Sequence, residues 1–221
     1  MLCMAALFCA LAYASTFIMH IKVGFLTFDI KDAVVTIAGL LFGPIYALVI
    51  SVTVALLEFI SMGETGFWGL LMDVLSTATF SVTCALIYKY KKNLWGAIAG
   101  LLASILAMTA VMVLGNIFIT PIYMGVARAD VVALIPTLLL PFNFIKAVLN
   151  GAIVMVLYKP VSTALKAAKV LPATKSGASK ERDPKRNLVF SLVLSAIALL
   201  IGAICVTVFF VFLGGSFSLV G

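Results

Sequence analysis

The sequence predicts an all-α integral membrane protein, and two observations carry that prediction. Of the 221 residues 64% are hydrophobic and only 10% are charged, a balance that excludes a water-soluble domain. The apolar residues also fall in continuous runs that recur along the chain, several of them longer than the roughly 18 residues needed to cross about 30 Å of hydrocarbon. A barrel would instead show segments of roughly 10 residues alternating apolar with polar positions.

The first run, Met1 to Met19, has neither a basic leading region nor a small-residue cleavage site. It is expected to be a retained first helix, with the natural start of the chain a few residues upstream. Residues 20–32 form a first polar loop. The next run, Ala33 to Ser61, is broken by Gly43-Pro44, because the residue before a proline is pushed out of the helical region. A short helix (33–42) and a full one (45–61) are therefore expected. After the turn 61–66 come a helix from Phe67 to Tyr88, a basic turn at 89–93, and a helix from Leu94 that stops at Pro121. Residues 131–137 have no clear assignment, and Pro141 fits the first turn of a helix reaching Leu165.

These six helices define a first domain, residues 1–168. Residues 169–187 are charged and have the composition of a solvated linker, and 188–221 hold a further apolar run long enough for a seventh helix.

The net charge of +7 does not point to nucleic acid, since the cations sit in short clusters between apolar runs. The turn 89–92 and the region 159–186 carry most of them, and Lys and Arg favour cytoplasmic loops. The N-terminus, the Gly43-Pro44 turn, the basic turn and the linker are accordingly expected inside, with loops 20–32, 61–66 and 121–137 outside. Cys3, Cys9, Cys84 and Cys205 all lie in apolar runs without C-x-x-C spacing, so they read as core residues rather than a metal site or a disulfide framework.

No phosphate-binding loop and no H-E-x-x-H motif is present, and there is one histidine, His20, at the water edge of the first run. An ATPase or a metalloprotease is thereby excluded, and any energy source must come from another subunit. Polar groups inside apolar runs are costly in hydrocarbon, which makes them default site candidates. Asn143, Lys146 and Asn150 share one helical face at i, i+3 and i+7, and Asn116 lies at a comparable depth in the preceding helix. The alternative is that these amides only join helices. Lys146 has no acid in its own helix, and Asp73 or Glu58 could reach it from neighbouring ones. Phe25, Phe28, Phe67, Trp68, Phe118, Tyr123, Phe142 and Phe144 gather near the outer ends, either as walls for a flat aromatic ligand or as an interfacial belt. Ala6, Ala10 and Ala14 form a stripe of small residues that suits either close helix docking or ordinary bundle packing.

Five stretches, in order, resemble the riboflavin-specific S components of energy-coupling factor (ECF) transporters. They are Leu26-Thr27-Phe28-Asp29-Ile30-Lys31-Asp32, Phe42-Gly43-Pro44-Ile45-Tyr46, Phe59-Ile60-Ser61-Met62-Gly63, Gly115-Asn116 through Pro121-Ile122-Tyr123, and Pro141-Phe142-Asn143-Phe144-Ile145-Lys146. The resemblance implies a six-helix S-component bundle in the bacterial cell membrane that binds one riboflavin as transported ligand, not as cofactor, and performs no chemistry on it. It implies flavin contacts from Asn116, Asn143 and Lys146, a cover from Leu26, Thr27 and Asp29, and Tyr123 close by. It also implies partners: a transmembrane T subunit, met by the stripe at Ala6, Ala10 and Ala14, and two ATPase subunits. The linker and seventh helix depart from the family pattern. Another vitamin such as thiamine or folate, or a membrane protein that uses the polar stripe only for packing, are the competing readings.

Overall fold

The computed structural model describes residues 2–18, 21–23, 26–62 and 66–167, together with 196, 200, 203–204, 207 and 216–217. The expected linker and nearly all of the expected seventh helix lie outside the described residues. Within them the chain runs α1 (Leu2–Ile18), β1 (Ile21–Val23), β2 (Leu26–Phe28), α2 (Lys31–Phe42), α3 (Pro44–Met62), α4 (Gly66–Tyr90), α5 (Leu94–Met124), α6 (Arg128–Ala133), a π-helical turn (Ile135–Leu139) and α7 (Leu140–Ala167).

Four stretches, 44–62, 66–90, 95–124 and 135–165, are long and apolar enough to cross a membrane. The last of them is 61% buried against 28% to 33% for the others, so α7 is the interior helix and the rest show more of their surface to lipid. α2, with 12 residues, is about 18 Å long and too short to cross, yet nine of those residues are buried. It is a half-length plug held by α1, α3, α4 and α7.

The plug ends where the sequence places its break. Gly43 adopts φ 108°, a conformation open to glycine, and its N–H closes the helix on Gly39 O at 2.8 Å. Pro44 then opens α3, where its missing N–H costs nothing. At the basic turn Asn93 caps α5 by accepting from Gly96 N at 2.7 Å.

Two expectations are corrected. α5 does not stop at Pro121 but continues to Met124, where Gly125 at φ 66° donates its N–H to Pro121 O. A proline forfeits one ladder bond and leaves its own carbonyl in use, so a last turn survives beyond it. The expected loop 20–32 is also more than a loop: β1 and β2 pair antiparallel, Ile21 opposite Phe28 and Val23 opposite Leu26. Ser216–Phe217 (β3) pairs with the other edge of β1.

Two apolar cores result. The larger joins α1 to α5 and α7 around Phe8, Ile50, Phe80 and Met108. The smaller lies under the hairpin, where Leu26 and Phe28 pack with Val131, Leu139, Phe142, Ile145 and Leu149. Cys9 and Cys84 are buried as expected of core residues, whereas Cys3 is exposed on α1.

Candidate functional site

The site lies where the residues after the hairpin meet α7. Asn150 projects from α7 and does the work of a missing helix cap. The backbone of α2 begins without a side-chain cap of its own, and Asn150 Oδ1 accepts from Ala33 N at 2.9 Å. Its Nδ2 donates to Asp29 O at 3.0 Å and to Lys146 O at 3.1 Å. Asn150 is therefore the helix-joining amide of the group.

One turn earlier, Lys146 Nζ donates to Asp29 Oδ2 at 2.9 Å and to Thr27 O at 3.3 Å, with Asp32 Oδ2 at 3.9 Å. All three charged groups are buried, and the Lys146 ammonium group offsets part of the cost of burying the two carboxylates. Burial by itself pushes the Asp29 carboxyl up, but the Lys146 and Lys31 ammonium groups outweigh it and hold the carboxyl below the ordinary carboxylate range. Asp32 also accepts from Thr77 of α4 at 2.7 Å. Asp29 Oδ1 meets no donor among the described residues.

A second cluster adjoins the first. Lys31, 2% exposed, donates to Glu58 of α3 and to Asp73 of α4, and Glu58 also accepts from Thr16 of α1 at 3.1 Å. Glu58 and Asp73 thus serve Lys31, while the acids that reach Lys146 are Asp29 and Asp32. The expectation that Asp73 or Glu58 reaches Lys146 is corrected. Lys31 and Asp32 read as loop residues because the apolar run starts at Ala33, and the one available signal was their position directly at the start of that run.

Of the predicted site residues, the structure joins Lys146 directly to Thr27 and Asp29, and it sets Leu26 in the small core under the hairpin. Asn116 and Asn143 are both buried, on the mutually packed α5 and α7, but each is bonded to residues four positions away in the chain. Asn116 donates to Met112 O and accepts from Thr120 Oγ1, both at 2.8 Å, and Asn143 donates to Leu139 O at 2.7 Å. No hydrogen bond among the described residues joins Asn116 to Asn143 or Lys146. Tyr123, half-buried, lies two turns beyond Asn116 on α5. The aromatic group divides: Phe28 and Phe142 are interior, Phe67, Phe118 and Phe144 are exposed in the manner of a belt, and Phe25 lies outside the described residues. Ala6, Ala10 and Ala14 are all exposed, on the face of α1 that turns away from buried Phe8, Ala12 and Ser15.

The chain as a whole has counterparts. Residues 1–158 match the family described as "ECF transporter, substrate-specific component". A riboflavin transporter, RibU, of Staphylococcus aureus (strain TCH60) is 29% identical over 167 residues, covering 71% of this chain and 87% of that protein. A solved structure of the S component of a bacterial ECF transporter superposes with a TM-score of 0.64 at 27% identity, over 75% of this chain and 96% of the other. The chain belongs to the substrate-specific components of ECF transporters.

Proposed function

We propose that this chain captures riboflavin from outside the cell and delivers it inward together with a T subunit and two ATPase subunits. The observation that carries this reading is the direct tie between the hairpin segment and α7, Thr27 O and Asp29 to Lys146. In this reading the segment is a short cover over α7, which bears Asn143 and packs against α5 with its Asn116. A planar vitamin needs apolar walls and a few fixed polar groups. The buried amides of Asn116 and Asn143, Thr27, Asp29 and half-buried Tyr123 supply such groups beside the apolar core of Leu26 and Phe142. The riboflavin transporter of S. aureus, similar over 71% of this chain, supports the choice of vitamin.

In this reading the chain has no ATPase or other enzymatic activity and needs no cofactor. Its exposed Ala6, Ala10 and Ala14 meet the T subunit, and its N-terminus is cytoplasmic in a bacterial cell membrane.

The test is quenching of riboflavin fluorescence by the detergent-purified chain at stoichiometric concentrations. Saturable quenching at one vitamin per chain is expected, with affinity falling about tenfold or more in Asn143→Ala and Asn116→Ala, each of which removes a hydrogen-bonding group. Unlabelled thiamine or folate should not compete. Competition by either assigns the site to that vitamin instead, and unaltered affinity in both variants assigns the amides to packing.

A further inference from the structure

Away from Lys146, around the break between α2 and α3, lies a cavity of about 320 Å³ that is lined by none of the candidate site residues. It lies where the last turn of α2, the first turn of α3 and the last turns of α4 converge. Asp73, in the buried charge cluster, and Lys89, at the cavity rim, are 16 residues apart on α4, about 24 Å along its axis. The two sites are therefore in opposite halves of a membrane-crossing helix.

Apolar residues Leu40, Phe42 and Pro44 form its walls, and Tyr46, Lys89 and Lys92 stand at its edge. Among the described residues neither lysine has a carboxylate within ion-pair distance. The turn adds Lys91 and contains no acid, so its own charge is positive. From the cavity the apolar surface runs on along α3, where Ile45, Val49 and Val52 are exposed at i, i+4 and i+7.

We propose that this groove binds an anionic phospholipid, its phosphate held by Lys89 and Lys92 and an acyl chain lying along Ile45, Val49 and Val52. The charges mark the level of a membrane face, since they sit at the ends of helices that cross it, and basic pockets at that depth suit anionic headgroups. A soluble anion would use the lysines and leave the adjoining apolar stripe without a role. A lipid uses both.

The experiment takes the delipidated full chain in neutral detergent and counts retained lipid by native mass spectrometry. Phosphatidylglycerol, phosphatidylcholine and glycerol 3-phosphate are titrated onto the wild type and onto Lys89→Gln/Lys92→Gln, with thermal melting as the folding control. One phosphatidylglycerol per chain is expected, bound about tenfold or more tightly than phosphatidylcholine. The double variant should melt like the wild type and lose that preference. Equal retention of the two lipids overturns the proposal, as does a preference that survives in the double variant. Glycerol 3-phosphate bound as tightly as phosphatidylglycerol overturns it in favour of a soluble anion. Crosslinking from a photoreactive side chain at position 45 to protein rather than lipid in native membranes overturns it in favour of a polypeptide partner.

Discussion

Lys146 Nζ on α7 lies 2.9 Å from Asp29 Oδ2, a residue 117 positions earlier in the chain, and both are buried. A pair of this kind is costly to break from one side, because the survivor is left charged and unpartnered. Lys146→Met is expected to lower stability by about 3–5 kcal/mol, and Asp29→Asn by less, since Asp32 remains within reach of the ammonium group. The double variant should recover part of the loss. Melting in detergent checks this; strictly additive losses would mean the two residues do not act as a pair.

The neighbouring Lys31 is predicted to matter more than either acid it serves. It sits between Glu58 and Asp73 and draws α2, α3 and α4 together. Lys31→Met leaves both carboxylates without their cation and should destabilise by about 3 kcal/mol, whereas Glu58→Gln or Asp73→Asn leaves the ammonium one partner and should cost about 1 kcal/mol. The order of melting temperatures decides the point. A Glu58→Gln chain that melts below Lys31→Met would reverse the assignment.

The contrast between these two lysines shows what a sequence of this kind discloses. The spans were legible because hydrocarbon demands long apolar runs, and the α2–α3 break because Gly43-Pro44 admits few backbone conformations. Asn116, Asn143 and Lys146 were conspicuous as polar groups inside such runs, and all three are buried. Their partners were not legible. Asp29, Lys31 and Asp32 stand in a stretch whose composition matches a solvated loop, and only the hairpin and the cap supplied by Asn150 carry them inside. Much of that information lies in contacts between distant parts of the chain, 117 positions for Ala33 with Asn150 and for Asp29 with Lys146, and 27 and 42 positions for Lys31 with Glu58 and Asp73. The turn beyond Pro121 was hidden for a different reason: a proline signals where one bond is lost, not how many residues follow it.

Packing of the plug helix yields a third prediction. A Cβ at Gly39 would stand 2.9 Å from Ala47 Cβ and 3.1 Å from Ala85 Cβ, where α2 meets α3 and α4. Both neighbours are on rigid helices and neither has a side chain that can swing away. Gly39→Ala is expected to cost about 1–3 kcal/mol, and adding Ala47→Gly should restore most of it. Gly43→Ala meets no atom within 4 Å, so its cost comes from φ 108° alone and no neighbouring deletion should rescue it. Melting of the four chains separates overpacking from backbone strain.

The exposed stripe on α1 offers a way to test capture and delivery, as proposed for this chain, apart from each other. Ala6, Ala10 and Ala14 contribute nothing to the buried clusters, and the residues of α1 that do, such as Phe8, Ala12 and Thr16, lie on its other face. A large side chain in the middle of the stripe should leave the isolated chain folded and its ligand site intact. It should also prevent another helix from approaching closely, because such contacts depend on small residues that let backbones near one another. Ala10→Trp is therefore expected to bind riboflavin within about twofold of the wild type, a change too small to reflect a lost contact. In cells that supply the T and ATPase subunits, its riboflavin uptake should fall about tenfold or more, with the variant recovered in smaller amount on a tagged T subunit. Uptake and recovery equal to wild type would remove the stripe from the docking surface. Loss of riboflavin binding by the purified variant would show instead that this face of α1 supports the bundle.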